Sequence, residues 1–307
     1  MNRVLISKED NPYINIAMEK LLFEHAQEDL VLFLWQNSPS VILGRNQNMY
    51  AECDLDYLKE NNIFPVRRFS GGGAVYHDKG NVNFTFVTKE SLADEAKLLS
   101  VVKTAMQALG IDAEFSGRND VLCDGRKFSG HAWLVDDGNY MYHGTIMINV
   151  DLHMLEKAIT PSKLKLQSKG ISSVRSRIIN LAEKSPEITV QAVMLAMENA
   201  FCKVFGECEK QQLLSADDEA LALAKKLSSD EWLVGECPQF SMTLEKMLLG
   251  KNVSVSAEVE NGIIKKAKVS TDSLEMHDIE KCEQGLVGLP FCEKNVFFYL
   301  EKFFKTI

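Results

Sequence analysis

Arg67-Arg68-Phe69-Ser70-Gly71-Gly72-Gly73-Ala74-Val75-Tyr76-His77-Asp78 runs two arginines straight into three consecutive glycines. Without Cβ atoms, this backbone can take positive φ angles and approach a bound group closely. Successive free N–H groups in such a loop form a concave anion site. Arginine forks suit bidentate contact with phosphate or carboxylate. The stretch therefore reads as a phosphate cradle, with a plain glycine hairpin or bulge as the bland alternative. It lacks the G-x-x-x-x-G-K-[ST] spacing of a P-loop and the G-x-G-x-x-G fingerprint that opens a dinucleotide-binding helix. Ala74 to His77 follow it, and then Val82-Asn83-Phe84-Thr85-Phe86-Val87 with the alternation of a strand. The loop is thus expected to join strands.

Away from the loop, Ile14, Ala17, Met18, Leu21 and Leu22 fall at i, i+3, i+4, i+7 and i+8, with Pro12 near the first turn. That pattern predicts an amphipathic helix. Val31–Trp35 and Val41–Leu43 are short apolar runs, expected as buried strands. Residues 54–62, 91–109 and 187–206 suit helices, the second stopping at Gly110 and the third capped by Thr189. Strand-like segments between them are divided by Asp124-Gly125 and Asp137-Gly138-Asn139, both turn chemistries. Without regular βαβ alternation, the expected class is α+β: mixed sheets flanked by helices. Gly235, Cys237 and Pro238 interrupt the pattern, which divides the chain into a large domain at 1–235 and a small α+β domain at 242–307. In the small domain Val253, Val255, Ala257 and Val259 alternate. Asn261-Gly262 supplies a hairpin turn, Ile263–Val269 a partner strand, and two helices close the chain.

Composition narrows the function. The net charge of −9 argues against general nucleic-acid affinity. No apolar run reaches a membrane-spanning length, and the first ten residues do not read as a signal peptide. The seven cysteines are odd in number and include no C-x-x-C pair. Reduced thiols in a cytoplasmic protein without a zinc site are expected.

Two further segments place positive charge beside flexible backbone. In Asp124-Gly125-Arg126-Lys127-Phe128-Ser129-Gly130 the turn sets Lys127 near the start of a strand. Period-2 alternation would put Phe128 and Gly130 on one face, with Lys127 and Ser129 on the other. A lysine on a rigid strand can hold an anion at fixed geometry, or it can be a solvated surface residue. Residues 157–182 contain Lys157, Lys163, Lys165, Lys169, Arg175 and Arg177 and no acidic residue. They suit a loop closing over a polyanion or meeting an acidic partner, or a basic strip of no consequence. His77 and His143 show no metal-ligand spacing, and no Ser-His-Asp order is arguable. The pattern fits chemistry in which the protein positions and neutralises an anion while substrates react together.

Taken in order, the motifs resemble the lipoate–protein ligase family, relatives of the biotin–protein ligases. They are Leu34-Trp35-Gln36-Asn37, Gly44-Arg45-Asn46-Gln47-Asn48, the arginine–glycine stretch, Gly117-Arg118-Asn119-Asp120, Gly125–Gly130, His143-Gly144-Thr145 and Lys169–Arg177. The resemblance implies a monomeric, cytoplasmic, ATP-dependent ligase acting with Mg2+. It would convert lipoate to lipoyl-AMP and then lipoylate a lysine of an acceptor. The implied acceptors are lipoyl domains of 2-oxoacid dehydrogenase E2 subunits and the glycine-cleavage H protein. No nucleic acid or membrane partner is implied. Lys127 matches the catalytic position that contacts lipoate and the adenylate phosphate. Arg68, Gly73, Ala74, Val75 and Tyr76 match nucleotide-binding positions, followed by Arg67, Ser70, Gly71, Gly72, Asn81 and His143. Asp120 is the candidate metal contact, or a residue that orients the Arg118 turn. The chain departs from the family at Tyr142, where a histidine is frequent, and at Ile179, where threonine is common. Two alternatives stand beside the ligase. One is an acyltransferase on the same fold using a non-ATP donor, with Cys53 or Cys123 carrying a thioester. The other is a non-catalytic module that binds lipoyl domains.

Overall fold

A computed structural model describes residues 1–116, 119–159, 177–209, 212–233, 242–260, 263–275 and 278–305. Its framework is an eight-stranded sheet. From edge to edge the strands are β11 (Gln212–Leu214), β1 (Arg3–Ser7), β2 (Val31–Trp35), β6 (Asn81–Lys89), β10 (Asn139–Met147), β9 (Arg126–Asp136), β8 (Asp120–Cys123) and β7 (Glu114–Ser116). β1 is parallel to both neighbours, and every pair from β2 to β7 is antiparallel. The β8–β9 and β9–β10 turns are built on Asp124-Gly125 and Asp137-Gly138, all four at positive φ as their turn chemistry requires.

β2 is apolar throughout because both of its faces are covered. Leu32 and Leu34 join Phe84, Phe86, Val101, Val102, Met197 and Phe201 in one core. The helices over that face are α4 (Glu95–Ala108) and α6 (Val190–Phe205), and Thr189 caps α6 by accepting from Ala192 N. Val31, Phe33 and Trp35 join Ile16, Ala17, Ala220 and Ala224 in a second core, under α1 (Pro12–Glu24) and α7 (Asp218–Leu227). α1 differs from its expected stripe. Ala17 and Met18 are buried as expected, but Ile14, Leu21 and Leu22 are only partly so, while Asn15 and Glu19 are buried. Packing on both sides by sheet and α7 widens the buried face, and two polar side chains find partners inside it.

β3 (Ser40–Leu43) forms a separate three-stranded sheet with β4 (Phe64–Arg67), parallel, and β5 (Val75–His77), antiparallel. The arginine–glycine stretch therefore does join strands. Helices α2 (Met49–Glu52), α3 (Leu55–Glu60), α5 (Leu152–Ala158) and α8 (Asp230–Leu233) flank this sheet. The C-terminal domain is a meander of β12 (Met242–Leu248), β13 (Lys251–Glu260) and β14 (Ile263–Thr271) covered by α9 (Ile279–Leu286) and α10 (Glu293–Lys305). The Asn261-Gly262 turn, the 235–241 boundary, Gly117-Arg118 and residues 160–176 of the basic segment lie outside the described residues.

Candidate active site

A cavity of about 320 Å³ opens where the large sheet, the three-stranded sheet and the C-terminal domain meet. Arg68, Gly72, Gly73, Ala74, Val75, Tyr76, Asp120, Lys127 and His143 all line it. Arg67, Ser70, Gly71 and Asn81 do not, although each was a sequence candidate.

Lys127 reaches the cavity by a route that simple alternation did not anticipate. Asp120 pairs with Gly130 and Val121 with Ser129, but Leu122 pairs with Lys127, so the register shifts and Phe128 is the extra residue of a bulge. A bulge re-aims the side chains beyond it. Phe128 enters the core, while the Lys127 ammonium ends over Gly130, where a Cβ would lie 2.7 Å from Nζ. Lys127 and Gly130 therefore act on the same side of the sheet, which corrects the expectation of opposite faces. Lys127 Nζ lies 2.6 Å from Asp120 Oδ1, and Arg177 pairs with the other oxygen of the same carboxylate. Asp120 is thus shared between two cations. Among the described residues no cluster of three or more histidine, cysteine or acidic side chains could hold a metal.

The arginines of the opening stretch are directed inward. Arg67 is 4% exposed and donates to the carbonyls of Gly44, Arg45, Gln47, Trp232 and Leu233. Arg68 donates to Ser70 Oγ at 3.0 Å and to the carbonyls of Ile42, Gly71 and Gly73 at 3.1, 2.6 and 2.9 Å. Burial pushes its guanidinium down to about 10, which leaves it charged at neutral pH. Arg68 thus shapes the loop and brings charge to the cavity wall, whereas Arg67 ties the loop to neighbouring backbone. The glycines admit another part of the chain. A Cβ on Gly71 would lie 2.3 Å from the Ser273 carbonyl oxygen, and Gly72, at φ +94°, donates its N–H to that oxygen at 2.8 Å. The C-terminal domain is seated on the loop through this turn and through Thr271 N, which donates to Asn46 O at 3.1 Å. It also supplies Lys251, Ser273 and Leu274 to the cavity wall, with Lys251 paired to Glu275.

Behind the loop lies a directional chain of hydrogen bonds. Arg68 Nε donates to Ser70 Oγ, which contacts His143 Nε2 at 2.7 Å. His143 Nδ1 lies 2.8 Å from Glu19 Oε1, which also accepts from Thr85 Oγ1 at 2.6 Å. Trp35 Nε1 donates to Thr85 Oγ1 at 3.0 Å. With Glu19 accepting from Nδ1–H, Nε2 is free to accept from the serine hydroxyl, and every group in the chain is satisfied. A Glu–His–Ser arrangement therefore exists that no sequence order suggested. Ser70 is fully buried and does not line the cavity, so it orients Arg68 and His143. The missed signal for Glu19 was the Asn15/Glu19 i,i+4 polar pair on an apolar helix.

Neither candidate thioester cysteine lines the cavity, and both are buried. Burial pushes the Cys53 thiol up to about 12 and raises that of Cys123 as well. Thiols held protonated and away from the cavity are poor nucleophiles. Among the departures, the Tyr142 hydroxyl meets His131 Nδ1, and Ile179 is fully buried with its N–H donating to Lys127 O at 2.9 Å.

Residues 11–202 match the lipoyl protein ligase A/B catalytic domain family, and residues 237–305 match the bacterial lipoate protein ligase C-terminus. The chain is 34% identical to the lipoate-protein ligase A of Blochmanniella pennsylvanica, covering 96% of this chain and 90% of that one. Its fold is similar to that of LipL1 from P. falciparum, solved with lipoate. That match has a TM-score of 0.81 and 28% identity and covers 98% of this chain and 94% of that one. A lipoate-protein ligase A bound with ATP aligns with a TM-score of 0.65 and 25% identity, over 76% of this chain and 98% of that one.

Proposed function

The chain belongs to the lipoyl protein ligase A/B family and is an enzyme that ligates lipoate, and we propose that it does so in two steps through lipoyl-AMP. In the first, a carboxylate oxygen of lipoate attacks the α-phosphorus of ATP, and the bond to the leaving pyrophosphate breaks. In the second, the ε-amine of an acceptor lysine attacks the acyl carbon, an amide forms and AMP leaves. We propose lipoyl domains of 2-oxoacid dehydrogenase E2 subunits and the glycine-cleavage H protein as acceptors, and a monomeric enzyme working in the cytoplasm.

The observation that carries this reading is the Lys127 ammonium, held on a strand at the cavity wall with its counter-ion shared by Arg177. A cation at fixed geometry offsets charge on the carboxylate and the α-phosphate as they approach. Substrate anions would take over from Asp120 as its partner. Gly73, Ala74, Val75 and Tyr76 face the same cavity and are our candidates for the nucleotide. Arg68 would add fixed positive charge behind them. Magnesium is bound through one or two carboxylates together with substrate phosphates, so the lack of a preformed acidic cluster among the described residues is compatible with it. Asp120 is our candidate protein ligand, and it would release Lys127 or Arg177 to serve. We assign these steps to the domain at 1–235, with 242–307 as the accessory domain. The test is pyrophosphate release by the full chain with lipoate and Mg-ATP, followed by mass measurement of a purified lipoyl domain. Release and a lipoyl mass increment are expected, and a folded protein giving neither overturns the reading.

A further inference from the structure

Away from the cavity, two thiols meet at the end of α6. Cys202 stands in the last turn of that helix, and Gly206 then turns the chain at φ +85°. Gly206 N donates to Cys202 O at 2.9 Å, and the Cys208 thiol donates to Gly206 O at 3.3 Å. The turn brings the Cys208 side chain back onto the helix, where its sulfur is within hydrogen-bond reach of the Cys202 thiol. Asn2 holds this turn against the sheet. It pairs with Cys208 in a parallel bridge, its Nδ2 donates to Phe205 O at 3.2 Å, and its carbonyl accepts from Glu209 N at 2.8 Å. Further on, the chain forms β11, the edge strand beside β1.

Cys53, Cys123 and Cys282 are buried, whereas Cys202 and Cys208 are both half-buried, which leaves them open to small reagents. A disulfide forms without backbone movement only where the two side chains already face each other. Thiols within hydrogen-bond reach across a glycine turn meet that condition. Burial, then the neighbouring Cys202 thiol and the Glu198 carboxylate one helical turn before it, pushes the Cys208 thiol up. Cys208 therefore keeps its proton longer, and attack on an oxidant begins at Cys202.

We propose that Cys202 and Cys208 are an oxidative modification site, closing reversibly to a disulfide that clasps the end of α6 to the β1–β11 edge of the sheet. The oxidant is a small disulfide of the glutathione class. The Cys202 thiolate attacks one of its sulfurs, that S–S bond breaks, and a small thiolate leaves and takes up the proton. Cys208 then loses its proton as it attacks the Cys202 sulfur, the mixed disulfide breaks, and a second small thiol leaves. Two electrons pass from the protein thiols to the small disulfide. β11 lies five strand spacings from the Lys127 strand, about 24 Å, so the clasp acts on the sheet edge and leaves the cavity alone. The proposal stands apart from the ligase reading.

The test treats the reduced full chain with oxidised glutathione and maps all seven cysteines by alkylation and peptide mass. Wild type is expected to lose two hydrogen atoms, to yield a peptide linking Cys202 to Cys208, and to revert with dithiothreitol. Amide hydrogen exchange at Arg3–Ser7 and Gln212–Leu214 should slow several-fold in the linked form, with pyrophosphate release unchanged. Cys208→Ser should stop at a glutathione adduct on Cys202. Both thiols still free after treatment, a lasting glutathione adduct on wild-type Cys202, or a link to another cysteine overturns the proposal. So does a linked form whose exchange at β1 and β11 is unaltered. If Cys208→Ser does not fold, the wild-type map and exchange still decide. A protein that forms the link but releases no pyrophosphate in either form would sink the ligase steps and leave the clasp standing.

Discussion

Two neighbouring regions bring positive charge to the cavity, and they use it differently. In the arginine–glycine loop the guanidinium groups are turned onto backbone carbonyls, and the glycines admit the Ser273 carbonyl of the C-terminal domain. In the β8–β9 hairpin a single lysine is turned by a bulge onto the cavity side, paired with a carboxylate that a second cation also holds. The loop is denser in charge, but its donors already have partners. The hairpin is sparse, but its cation can exchange partners. Where a cation's hydrogen bonds already go decides whether it builds a site or works in it.

Lys127→Ala should show the largest effect and sharpen this contrast. Pyrophosphate release should fall about 10²–10³-fold, the usual loss for one group aimed at developing charge. Its melting temperature should stay near wild type, because Arg177 still neutralises Asp120. A variant with near-normal release would break the contrast from the hairpin side. Arg67→Ala should do the reverse. Removing a buried guanidinium strands several carbonyl acceptors and should lower stability by about 3 kcal/mol, read from denaturant midpoints. Turnover per folded molecule should change only a few-fold. A stable but inactive Arg67→Ala would mean that the loop arginine acts on substrate after all.

Acid should strike both regions alike. His77 follows the loop and His131 lies on β9, and burial pushes each down to about 3 from 6.5. Neighbouring positive charge adds to this, from Arg68 for His77 and from Lys127 for His131. In the unfolded chain these rings take protons below about pH 6.5, while in the fold they stay neutral until far lower pH. Their contribution is therefore complete above pH 6.5 and is lost as pH falls toward 3, at roughly 1 kcal/mol per pH unit for each ring. Melting temperature should decline steadily from pH 7 to pH 5, and a flat profile would show that neither ring is held neutral.

Local chemistry made much of this fold legible. Turn residues fixed the β8–β9 and β9–β10 hairpins, Thr189 marked the start of α6, and apolar runs marked β2 and β3. β1 and β11 escaped notice because their parallel pairing joins residues more than two hundred positions apart, as in Leu5 with Gln212. β12 escaped because Glu245 and Lys246 interrupt its apolar pattern. At the site, the motifs named Lys127 and Gly73–Tyr76, which line the cavity. They could not show that Gly71 faces Ser273, that Phe128 is bulged, or that Glu19 belongs to the interior, because each depends on elements distant in sequence.

Ser70→Ala is the finest test, because Ser70 belongs to the loop by sequence and reaches His143 on β10 by contact. Its hydroxyl accepts from Arg68 and faces His143 Nε2, and the histidine is backed by Glu19. The order resembles a nucleophile, base and orienter. Access argues otherwise, since Ser70 is fully buried and absent from the cavity wall. As a positioning residue, its loss should cost about 1 kcal/mol of stability, read by denaturation. The KM for lipoate should rise several-fold as Arg68 and the loop relax, with kcat little changed. Ser70→Thr, if accommodated, should restore KM by restoring the hydroxyl. A collapse of kcat with normal stability, or a covalent acyl adduct on Ser70 in the wild type, would make this serine a reacting group and erase the division between a loop that shapes the cavity and a hairpin that acts in it.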